Sequence, residues 1–291
     1  MSDVIHDIGF RRYEGERFGR GWIVRSLLVD TIRGIFGLGR PARSKVMPWL
    51  LVAILALPPI VIGLVVLITG ADRPPISYTQ YLYQLNLPIS LFLAGSAPYA
   101  VSRDLRHGVM SLYLSRPLMR SDYLAARYAG LAISMFAIMA VPQTLLMIAA
   151  LLAELPVDEQ LVGWAGGLLM SALLAVLLSA FGLAVATLTP RRGVGVAAII
   201  TILLVVQGFS FALSGLASEE DLSDLAVVAG ALDPYRLIDG LSSWVLGVDA
   251  AIGEFAPTAA WQAGVLALAW LLGVLGFGGL LLRRYRNSVP L

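Results

Sequence analysis

The densest run of groups able to do chemistry is SRDLRHGVMSLYLSRPLMRSDYLAARY, residues 102–128, with five arginines, two aspartates and one of the chain's two histidines. Such a set can fix membrane topology or face a partner. The rest of the chain narrows the chemistry further. Cysteine is absent, which excludes disulfides, thiolate metal sites and a cysteine nucleophile. The one lysine, Lys45, follows Ser44 in ARSKVM, so the chain lacks the GxxxxGK[ST] loop that cradles ATP phosphates. The apolar runs hold no HExxH, no carboxylate pair and no Ser–His pair, so no catalytic residue and no metal ligand is assigned. A net charge of +2 gives no global support for nucleic-acid binding.

What positions this segment is a membrane. Hydrophobic residues make up 58% of the 291, and the mean hydropathy is +0.81. Soluble domains are about 45–50% apolar. Six runs, near 47–69, 81–101, 129–153, 161–188, 193–216 and 259–282, are long enough to cross a hydrocarbon core of about 30 Å. In lipid, backbone groups must be satisfied within the segment, so these runs are expected to be helices. The fold class that follows is all-α: a polytopic membrane protein of six transmembrane helices.

Charge placement orients it. Of the 21 basic residues, 19 fall in the two ends and the second and fourth loops. By the positive-inside rule both termini and residues 102–128 face the cytoplasm. Acidic residues run the other way, with eight in the loop 217–258. The organisation is then a cytoplasmic segment 1–46, a membrane domain 47–282 with the loop 102–128 inside and the loop 217–258 outside, and a cytoplasmic tail 283–291. A topology signal needs only a few arginines. A loop of more than twenty residues with helical pattern asks for a partner.

No Asp, Glu, Lys, Arg or His lies deep in any run, which argues against proton relays and ion coupling. The polar residues inside are Gln84, Asn86, Gln143 and Gln207; they either orient the helices by hydrogen bonds or line a substrate path. Pro58, Pro59, Pro88 and Pro142 can bend their spans. Residues 1–46 carry nine basic residues and no apolar core of signal length, so no secretion signal is expected there. Residues 22–38 read as an amphipathic helix. Arg25 and Arg33 lie on its polar side and Trp22, Leu28, Ile32 and Phe36 on its apolar side, suiting the cytoplasmic interface. Residues 39–46 turn into the first span. In the outer loop, Asp233–Pro234 is a turn or a helix start, and Tyr235, Leu237, Ile238, Leu241 and Trp244 recur at helical spacing. The acids there lack EF-hand spacing.

Taken together, these residues resemble the permease subunits of type-2 ABC transporters, the six-span exporter family with a separate ATPase. The segment 102–128 is similar to that family's signature: an acid, a small-residue turn, an apolar patch, then S-R-P, a second Arg and a tyrosine-containing entry to the third span. RRYEGERFGR followed by an amphipathic helix resembles the elbow before span one, and the acidic loop with short helices resembles the region before span six. Asp104 stands where many relatives have Glu.

The resemblance implies that 102–115 is a coupling helix docked on an ATPase. Arg103, Asp104, Arg106 and His107 would face that partner, and Met110, Leu112, Tyr113 and Leu114 would seat on apolar surface. Arg116–Pro117 would end the helix, while Arg120 and Asp122 would pair with the partner or cap the next helix. It further implies two ABC ATPase subunits, a second permease that is identical or similar, and export of an amphipathic or lipid-like substrate. ATP and Mg would be bound by the partner, none by this chain. The expected location is the plasma membrane, the inner membrane of a bacterium. Two other functions fit the residues alone: a membrane scaffold anchoring a soluble enzyme through the same loop, and an ATP-independent carrier, which the uncharged spans disfavour.

Overall fold

The computed structural model describes residues 15, 18–70, 76–106, 118–189 and 191–287, the side chains of 102–106 and 286–287 aside. Its helices are α1 (Arg20–Ile35), α2 (Arg43–Thr69), α3 (Gln80–Gln84), α4 (Asn86–Arg106), α5 (Arg120–Leu152), α6 (Val157–Leu188), α7 (Arg192–Glu219), α8 (Ser223–Val228), α9 (Pro234–Leu246) and α10 (Ala260–Asn287). Short 3-10 turns at Ala229–Leu232 and Gly253–Phe255 join the last ones. Among the described residues there is no strand. The all-α polytopic class expected from composition is the class observed.

Five helices, α2, α5, α6, α7 and α10, are long and apolar enough to cross a membrane. Each falls on one of the six expected runs. The remaining run, 81–101, is built differently. The helix breaks at Leu85 (φ −106°, ψ 28°), and Asn86 Nδ2 donates to the Tyr83 carbonyl at 2.7 Å across the break. The result is a short α3 and a 21-residue α4. Pro88 sits in the first turn of α4, where its missing N–H removes no intrahelical bond. It starts a helix there and does not bend one. Pro58, Pro59 and Pro142 do lie inside helices.

The helix α6 is the axis of the bundle, with α4, α5 and α10 packed around it; α2 and α1 lie on α5, and α7 lies on α4. Phe92, Leu93, Tyr123, Leu131, Met135, Leu174 and Leu178 fill the centre. Lipid offers no hydrophobic drive to join helices, so close packing must supply it. Gly130 on α5 shows this: a Cβ there would lie 2.8 Å from Thr31 of α1, so only glycine permits that crossing. The α1–α2 turn has a similar need, because Gly37 takes φ +67° and its missing Cβ would meet the Ser44 carbonyl at 2.7 Å. Outward faces stay apolar, with Val205 and Phe209 of α7 and Leu275 of α10 each more than half exposed.

Candidate functional site

Two polar constructions stand at opposite ends of the bundle. The basic end gathers α1, the start of α2, the end of α4 and the starts of α5 and α7. The other end holds α3, α8 and α9.

At the basic end, Arg103, Asp104 and Arg106 lie on the last turn of α4, and nothing is described of their side chains. His107, Met110, Leu112, Tyr113, Leu114, Arg116 and Pro117 fall outside the described residues. The chain returns at Leu118, which is buried, and α5 starts at Arg120, which is partly exposed. Asp122 is committed within the chain. Its Oδ2 accepts from the Met119 N–H at 3.0 Å, closing the first turn of α5. The same carboxylate takes both arms of Arg20: Nε to Oδ2 at 2.7 Å and Nη2 to Oδ1 at 2.6 Å. This bidentate pair ties the first residue of α1 to α5.

Two turns along α5, Arg127 repeats the tie from inside. It is buried, donates from Nη1 to Thr31 Oγ1 at 2.9 Å, and lies 3.7 Å from Asp30 Oδ2. Its guanidinium stands over the Tyr123 ring at 5.3 Å. Thr31 Oγ1 in turn donates to the Leu27 carbonyl at 2.7 Å. Thus α1 buries a face of Leu27, Thr31 and Ile35 against α5 and α4. Of the residues expected on this helix, Arg25 and Arg33 are exposed, and Trp22 is half exposed and stacked on Phe18. Leu28, Ile32 and Phe36 are partly buried.

The opposite end is arranged around Arg236 of α9. Its Nη1 donates to Ser210 Oγ at 2.9 Å, Ser214 Oγ at 2.8 Å and the Ser210 carbonyl at 3.0 Å. Both serines, on α7, pass their own protons on: Ser210 to the Ala229 carbonyl at 2.8 Å and Ser214 to the Ala226 carbonyl at 2.7 Å. Phe255 lies 4.9 Å from the guanidinium carbon. The network joins α7 to α8, the following 3-10 turn and α9. Asp233 caps α9 by accepting from the Tyr235 N–H at 3.1 Å, with Pro234 in the first turn. Asp239 accepts from the Ala251 N–H at 2.9 Å. Burial pushes both carboxyls up to about 6, against the opposing pull of those backbone donors and of Arg236. Asp233 Oδ2 and Asp239 Oδ1 have no hydrogen-bond partner among the described residues.

The four uncharged polar residues do not converge on one path. Gln143 Nε2 donates to Ser171 Oγ at 2.9 Å, a buried bond between α5 and α6. Asn86 holds the α3–α4 break, Gln84 is exposed, and Gln207 is partly buried on α7. Gln143 and Asn86 thus orient helices, as polar residues in bundles do.

Sequence reasoning overlooks the two buried arginines. Arg127 is hidden because the loop is read to Tyr128, whereas α5 starts at Arg120. Arg236 counts only as a lone outer charge. A signal was available: Asp233, Arg236 and Asp239 are spaced three apart in a helix whose apolar positions are already legible.

Compared with known families, residues 68–280 match the model of a family described as ABC-2 family transporter protein. No curated protein matches the chain.

Proposed function

Because the chain belongs to the ABC-2 transporter family, and so is a multi-pass membrane permease subunit that works with a separate ABC ATPase, we propose that its ATPase docks on residues 102–122 and drives export of an amphipathic or lipid-like substrate. Spans and charges support six crossings with both termini in the cytoplasm and the basic end toward the ATPase. ATP and Mg sit in that partner, and two ATPases serve two permeases. The exposed apolar faces of α7 and α10 suit lipid or the second permease.

The observation that carries the docking assignment is the pair of ties on α5. The segment leaves α4 and enters α5, and within the first turns of α5 Arg20–Asp122 and Arg127–Thr31 fasten α1. A push on the segment therefore reaches three helices together. Bistable packed elements transmit such a push better than a free loop does.

The test is co-purification of the permease with its ATPase, with and without alanine at Arg103, Asp104 and Arg106 together. We expect the ATPase to co-elute at about one per permease, and to be lost from the triple variant. Retention in the triple variant would remove the docking role from this segment.

A further inference from the structure

A cleft of about 280 Å³ opens at the basic end between α1, α2, α4 and α7. Its floor is apolar, with Ile35, Leu51 and Phe92 all buried. Its mouth carries three arginines: Arg40 from the α1–α2 turn, Arg43 at the first residue of α2 and Arg192 at the first residue of α7. No carboxylate among the described residues pairs with any of the three. Arg40 is held in place, donating to the Tyr99 hydroxyl with its guanidinium 4.5 Å over that ring. Three like charges around one mouth repel each other unless an anion sits among them. The start of α7 adds backbone N–H groups that no cap side chain satisfies.

From this geometry we infer that the cleft binds an anionic phospholipid of the surrounding leaflet, its phosphodiester among Arg40, Arg43 and Arg192 and its acyl chain on the apolar floor. A free phosphate would use only the mouth, and an uncharged oil only the floor. The amphipathic ligand uses both. A track for the chain continues along the outer face of α2, where Leu50, Ile54 and Leu57 are 57%, 45% and 63% exposed. Guanidinium groups bind phosphate oxygens through paired N–H donors, which favours arginine over lysine here. The inference rests on the membrane assignment alone and holds whether or not an ATPase docks at 102–122.

The experiment uses the full-length permease in mild detergent, without ATPase, and reads retained lipid by native mass spectrometry. The probes are dioleoyl phosphatidylglycerol, dioleoyl phosphatidylcholine and inorganic phosphate as competitor. One phosphatidylglycerol should bind saturably, at least about tenfold (about 1.4 kcal/mol) more tightly than phosphatidylcholine, whose phosphodiester is the same but whose quaternary ammonium the three arginines repel. R43Q/R192Q should lose that preference. Gly95→Leu should block binding by filling the cleft, since a Cβ there already meets Met47 Cε at 3.0 Å. R25Q/R33Q removes two arginines from the exposed face of α1 and should bind as the unaltered chain does. Equal retention of phosphatidylcholine, displacement by inorganic phosphate at matched concentration, unchanged binding in R43Q/R192Q, or equal weakening in R25Q/R33Q would each overturn the site.

Discussion

Arg127 and Arg236 are held at opposite ends of the bundle by the same device. Each is buried, each donates to hydroxyls, and those hydroxyls donate onward to backbone carbonyls. Each also has an aromatic ring beneath it. The carboxylates differ. Asp30 beside Arg127 is 69% exposed, whereas Asp233 and Asp239 near Arg236 are 1% and 7% exposed. Water can therefore solvate the negative charge at the basic end and cannot do so at the other. The comparison teaches that one fold can keep one arginine as a yielding latch and another as a sealed plug.

The largest break in this comparison should come from Arg236→Ala. It would take the charged donor from Ser210 and Ser214 and remove the positive charge near two buried carboxyls, and we expect a loss of about 2–3 kcal/mol, the upper range for hydrogen bonds made by a charged group. Thermal unfolding of the purified permease reads it, and a loss under about 1 kcal/mol would show the plug is not sealed.

Acid sharpens the same point. Asp233 and Asp239 bind their protons more tightly folded than unfolded, since burial raises them from 3.8 to about 6. That contribution is complete below the unfolded value and is lost as pH rises through about 6. Stability should thus fall between pH 4 and pH 7, by up to about 3 kcal/mol for each carboxyl. The D233N/D239N variant should flatten the profile; an unchanged slope would assign it to other groups.

Arg127→Ala should cost less than Arg236→Ala, about 1–2 kcal/mol, because Asp30 is left in water while Thr31 loses a charged donor. The readout is again thermal unfolding, together with protease access to α1. Equal losses for the two arginines would erase the distinction between latch and plug.

The smallest effect belongs to Asp122→Ala. The Arg20 pair is exposed and screened, so the unfolding temperature should stay where it is. Amide exchange at residues 119–123 should still quicken, because the first turn of α5 loses its acceptor. Slow exchange in the variant would mean that Asp122 does not hold that turn.

Much of this was legible because lipid imposes simple rules. Span length follows from bilayer thickness, so each of the five helices long and apolar enough to cross lies on an expected run. The start of α9 at Asp233–Pro234 was legible from capping chemistry. The break at Leu85 was not, because it depends on Asn86 turning back to the Tyr83 carbonyl, a local bond that competes with an unbroken helix. Gln143 shows another limit. Its type permits a path or a packing bond, and only its neighbour Ser171 on α6 decides for packing.

By itself, then, the sequence determined that this chain is helical and membrane-embedded, because apolar length and charge bias are properties of the chain alone. The tertiary structure decided which arginines are buried. Whether a guanidinium meets water, Thr31 or a pair of serines depends on residues about 20 to 100 positions away, and no local pattern encodes that meeting.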